Sequence, residues 1–190
     1  MYKTEKIGEG GESMNKTLKI SLKLLWDHVL FVILTLVFMP IFGWLIQRDR
    51  GILIYSYIMS FFYFMLIYSD IWEVARQDSR PHNQERPYVL KGLKIAILPT
   101  AVLAVSAAIY YAASAGFMNF DIVNFIYRLW MPMFVGFFEF YGEEFPAIFG
   151  LVVLVLPLAS LLGYLAGMHK FSIQEKFVKF MNDRAKKNNE

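Results

Sequence analysis

The chain has 190 residues, of which 57% are hydrophobic and only 18% charged, with a net charge of +3 and no cysteine. A soluble domain carries roughly a quarter charged residues, and the polar stretches here are too short to bury a core of their own, which excludes a separate soluble catalytic domain. The missing cysteines exclude disulfides, thiolate metal sites and a cysteine nucleophile, and the basic residues behind the pI near 9.0 flank hydrophobic runs, which points to a membrane surface and not to nucleic acid.

Residues 1–15 are polar, carry Gly8, Gly10 and Gly11, and lack the apolar core of a signal peptide. They read as a flexible cytoplasmic tail. From Lys16 the pattern turns basic and amphipathic, with Lys16, Lys19 and Lys23 between Leu18, Leu22 and Leu25, and Trp26 at the place of an interfacial aromatic. A first span follows from about Leu24 to Ile46, long enough to cross a hydrocarbon core of about 30 Å. Asp27 and His28 lie one turn inside it, Pro40 is expected to kink its outer third, and Gln47 to Gly51 forms a tight turn. The second span, Ile52 to Trp72, places Ser56, Ser60, Tyr63, Ile67 and Asp70 on one face, which is expected to point into a bundle. Residues 16–72 thus form a first transmembrane hairpin.

Glu73 to Lys94 is the one long polar stretch inside the hydrophobic part of the chain. Pro81 and Pro87 interrupt any helix there, so residues 73–94 read as a cytoplasmic loop. A second hairpin, 95–169, comes next. Its first helix, about Ile95 to Ala115, repeats small residues every four positions: Ala96, Thr100, Ala104, Ala108, Ala112 and Gly116. Small side chains let helices approach closely in lipid, so this ridge is expected to pack on Ala159, Gly163 and Gly167 of the last span, about Phe145 to Met168, where Pro157 would kink the helix. The third and fourth spans are therefore expected to be the closest pair.

Between them, 117–144 reads as an interfacial or re-entrant helical segment on the outer face: a helix Ile122 to Trp130 capped by Asp121, a break at Pro132, and a second run Met133 to Tyr141. The alternative is a fifth span, Ile122 to Tyr141, which would bury Arg128 and Glu139 at a cost of a few kcal/mol each. Residues 170–190 begin with a capping-box spacing, Ser172 to Glu175, and set Ile173, Phe177, Phe180 and Met181 on one face, a short amphipathic cytoplasmic helix. The fold class is all-α, a polytopic integral membrane helix bundle of four spans in two hairpins. With both termini inside, 16 of the 19 Lys and Arg residues fall on the cytoplasmic side, as positive-inside orientation in a cell membrane requires.

Enzyme signatures are absent: no phosphate-binding glycine loop, no dinucleotide fingerprint, no HExxH and no GxSxG. Three constellations remain. Asp27, His28, Asp70 and Glu73 form a polar layer that could hold a cation or relay protons, or could simply mark the membrane boundary beside Lys23 and Arg76. Arg128 and Glu139, three helical turns apart, could share a face of one helix, meet across the break at Pro132, or sit at headgroup level. The aromatics Tyr55, Tyr57, Tyr63, Tyr68, Tyr127, Trp130 and Tyr141 could line a lipid site or serve as packing. This pattern implies no cofactor. Its partners are the lipid bilayer and another membrane protein or a second copy of the chain, with no nucleic acid. The leading reading is a non-enzymatic accessory or assembly subunit. The alternative is a small oligomeric transporter or channel, and a third possibility is an intramembrane enzyme acting on lipid through Asp27, His28 and Asp70.

Overall fold

The computed structural model describes residues 6–80 and 88–169. Those residues are helical almost throughout, with no strand among them. Four stretches are long and apolar enough to cross a membrane: Lys16–Ile41, Gly51–Asp78, Lys91–Ser114 and Ile148–Met168. The expected multi-pass bundle is therefore present. The expected amphipathic helix of 170–190 lies outside the described residues.

Helix α1 runs Lys6–Ile41, so it begins inside the segment expected as a tail, and it ends directly after Pro40. A short α2, Gly43–Ile46, and a turn lead to α3, Gly51–Asp78. Arg50 enters that helix with φ 58, a left-handed conformation. The second span thus extends past Trp72 by six residues, and α4, Lys91–Ser114, begins before Ile95. The polar connection expected over 73–94 is correspondingly shorter. Backbone hydrogen bonding carries a helix on into a polar sequence until a proline interrupts it, and here the first is Pro81.

The chain returns through α5, Phe120–Trp130, a 3-10 turn Pro132–Phe134, and α6, Val135–Tyr141. The last span comprises α7, Ile148–Leu151, a 3-10 turn Val152–Leu154, and α8, Val155–Met168. Pro157 explains the irregular turn before α8, because its ring clashes with the carbonyl four residues earlier. The N-cap of α5 is Asn119, whose side chain accepts a hydrogen bond from the Ile122 amide at 3.2 Å, in place of the expected Asp121.

The α5–turn–α6 segment is re-entrant. Trp130 reaches His28, near the middle of α1's apolar stretch, with ring centroids 5.0 Å apart, and His28 in turn meets Tyr63 near the middle of α3. The chain then climbs back along α3: Ser60 Oγ donates to the Met133 carbonyl at 3.1 Å, and the Gly136 amide donates to Ser56 Oγ at 2.7 Å. Two short limbs that turn at mid-depth cannot also be a fifth span. Pro132 opens the turn, where its missing amide costs nothing.

The closest helix pair is α3 with α8, not the third span with the fourth. A Cβ added at Gly163 would lie 2.5 Å from the Tyr68 carbonyl oxygen, and one at Gly167 would lie 2.5 Å from that of Trp72, both on α3. Helix α4 meets α8 through Gly92, which abuts Ser160 and Tyr164. Ala104 and Ala108 instead face outward and Ala112 is half-exposed, while Ala96 is buried. The reason is angular. At 3.6 residues per turn, a strict four-residue repeat drifts about 40° per step, so the ridge winds about 160° round α4 between Ala96 and Ala112. The buried face instead takes steps of four that give way to steps of three, which corrects the drift: Ile95, Pro99, Leu103, Ala107, Tyr110 and Ala113.

Candidate functional site

Three tiers of polar side chains follow one another from the α3–α4 end of the bundle to its middle. The first centres on Asp78, at the last turn of α3. Its Oδ2 lies 2.7 Å from Lys91 Nζ and accepts the Tyr164 hydroxyl at 3.1 Å, while its Oδ1 lies 3.2 Å from Lys16 Nζ. One carboxylate thereby joins α1, α3, α4 and α8. The Asp78 and Lys91 side chains are 0% and 5% exposed, so protein groups take the place of water around both charges. Sequence reading missed this centre because Asp78 and Lys91 fell in the stretch read as loop. The available signal was the pair Asp70 and Asp78, eight residues and about 80° apart round the helix, opposite the similarly spaced Lys16 and Lys23.

The second tier contains part of the expected layer. Lys23 Nζ lies 2.8 Å from Asp70 Oδ2 and 3.8 Å from Asp27 Oδ2. Glu73 is not in it: its carboxylate accepts from Gln77 one turn on, at the exposed surface. His28 is not in it either. Adjacent helical residues point about 100° apart, so Asp27 faces Lys23 while His28 turns inward.

His28 forms the third tier. It is fully buried, with Nδ1 3.0 Å from the Tyr63 hydroxyl and its ring edge against Trp130. Its Nε2 and the Trp130 Nε1 are buried without a hydrogen-bond partner. The four residues of the expected layer therefore separate into three environments, and among the described residues no three His, Asp or Glu side chains converge as metal ligands would.

Arg128 and Glu139 meet across the break at Pro132, as one of the sequence readings has it. Arg128 Nη1 lies 2.6 Å from Glu139 Oε2, and Nε donates to Asn124 Oδ1 at 3.1 Å. The pair links the two limbs of the re-entrant segment and is partly exposed, so it staples α5 to α6. The aromatics are mostly structural. Tyr55 donates to the Thr35 carbonyl at 2.6 Å, Tyr127 donates to the Phe149 carbonyl, and Phe149 stacks between Tyr110 and Phe138 at 4.2 and 4.5 Å.

The bundle also holds a cavity of about 480 Å³ between α1, α4 and α5, open at the side. Val32 and Leu36, Val105 and Ser106, and Val123 and Trp130 supply its three walls. Its surface is almost wholly apolar, and the Ser106 hydroxyl already donates to the Leu103 carbonyl at 2.7 Å. This arrangement suits hydrocarbon and offers nothing that would replace the hydration shell of an ion.

Comparison of the chain with protein-family models, with curated proteins and with solved structures gave no match.

Proposed function

We propose that this multi-pass membrane protein is a non-enzymatic accessory or assembly subunit of the cell membrane, acting through contacts with another membrane protein. The carrying observation is the division between its interior and its outer surface. Inside, the polar groups are spent on ties between its own helices: Asp78 with Lys16, Lys91 and Tyr164, and Lys23 with Asp70. Outside, α4 presents Ala104 and Ala108, small residues that its own bundle leaves uncovered and that would let another helix approach closely. The transport alternative draws less support, because the cavity within the bundle is apolar. The lipid-enzyme reading loses its constellation, since His28 faces away from Asp27 and Asp70.

Two experiments test this proposal. Protein extracted in mild detergent is expected to elute with its partner, and the double change Ala104→Leu and Ala108→Leu is expected to release it without altering the melting midpoint. Unchanged elution would remove the ridge as the contact. For orientation, single cysteines at positions 83, 120 and 185 are to be probed on intact cells with an impermeant thiol reagent. With both termini cytoplasmic, as the 16 basic residues on that side imply, only position 120 labels. Labelling at 185 would overturn that orientation.

A further inference from the structure

We propose that the groove between α1, α4 and α5 is a binding site for one acyl chain of a phospholipid from the leaflet that holds the re-entrant segment. The position of the groove defines what surrounds it. It follows α4 from Val102 to Ile109, from the middle of that span toward its outer end, and so opens into hydrocarbon, not water. An unfilled apolar cleft forfeits the dispersion contacts of its lining, and the medium at that depth supplies acyl chains. Its volume of about 480 Å³ falls within the ~300–1,000 Å³ of sites that enclose small ligands.

Its shape separates a lipid chain from other occupants. The walls converge at the inner end, where His28 of α1 meets Trp130 of α5 with ring centroids 5.0 Å apart. The groove is thus pinched where α1 and α5 meet and open at the side. A partner helix packs at an axis separation of about 8–10 Å and cannot enter converging walls. A flexible hydrocarbon chain, whose carbons contact their neighbours at about 4 Å, tapers into them. Asn119 and Asp121 stand at the start of α5, the end of that helix where a headgroup would lie. The chain's own segments outside the described residues all join at the opposite end of the bundle, before α1, between α3 and α4, and after α8. To fill the groove, one of them would have to carry its charges through the hydrocarbon layer. Three walls distinguish this site from the general lipid shell, because a chain held on three sides dissociates more slowly than one lying on a single helix face.

Native mass spectrometry of the detergent-purified chain tests the proposal. As detergent strips the general lipid shell, one phospholipid per chain is expected to remain. Ser106→Trp and Val123→Trp, which fill the groove from opposite walls, are expected to reduce its retention at least tenfold. The outward change Phe61→Trp on α3, which is no part of the groove, is expected to leave retention intact. No retained phospholipid in the unaltered chain, or equal retention in the filled variants, overturns the proposal. So does a polypeptide that departs in the filled variants in place of the lipid. Should the fillings unfold the protein, Trp130 provides a second readout in a chain carrying Trp26→Phe, Trp44→Phe and Trp72→Phe. Vesicles containing acyl-brominated phospholipid are expected to quench it to saturation at a low mole fraction. Quenching that only rises in proportion to the brominated fraction overturns the proposal.

Discussion

Gly163→Leu is expected to lower the melting midpoint of the detergent-solubilised protein by roughly 6–12 °C, corresponding to about 3 kcal/mol for a chain of this size. A Cβ at that position would stand 2.5 Å from the Tyr68 carbonyl oxygen and 3.1 Å from its Cα, so it would meet backbone and not a side chain able to rotate away. Either α8 withdraws along its contact with α3, or the pair shifts in register, and Gly167 against Trp72 loses its fit in both cases. Even Gly163→Ala adds the offending atom and is expected to destabilise. Ala108→Leu provides the contrast. Its side chain faces outward, so its midpoint is expected to stay within the range of ordinary surface changes, about 0.5 kcal/mol. Thermal melts of the three variants decide the matter, and equal losses from Gly163→Leu and Ala108→Leu would refute the α3–α8 pairing.

Asp78→Leu is expected to cost about 3–5 kcal/mol, because it removes the carboxylate that lies 2.7 Å from the buried Lys91 ammonium. Lys16 is less affected, since its side chain is 44% exposed and reaches solvent. The Tyr164 hydroxyl, fully buried with its ring, loses its acceptor as well. The double change Asp78→Leu with Lys91→Met removes both charges and is expected to recover most of the loss, since apolar replacement of a buried pair is often neutral. The cycle of the two single variants and the double variant isolates the coupling. Additive losses would show that the two side chains do not form a pair. By contrast, the Arg128–Glu139 staple is partly exposed and of the class that typically contributes under about 1 kcal/mol. The bundle is therefore locked mainly at the end where α3 stops and α4 begins.

The amino-acid sequence by itself determined the four spans, their hairpin connectivity and the separate character of 117–144. Long uncharged runs have one stable outcome in lipid, a helix whose backbone hydrogen bonds are satisfied internally. Pro132 inside a charged apolar run likewise marked the place where the re-entrant segment turns. Facing and depth were decided only by tertiary structure. Ala104 and Ala108 carry the same small side chains whether they meet a helix or lipid, and a four-residue repeat that drifts about 40° per step cannot stay on one face. Gly163 and Gly167 announced a close approach without saying to which neighbour. Asp27 and His28 are adjacent in sequence, yet the helical turn between them sends one toward Lys23 and the other into the core beside Tyr63 and Trp130. Asp78 and Lys91 lay in a polar stretch with loop-like composition. They became an interior pair only because α3 and α4 extend past their apolar segments and end side by side, where each charge finds its opposite before it finds water.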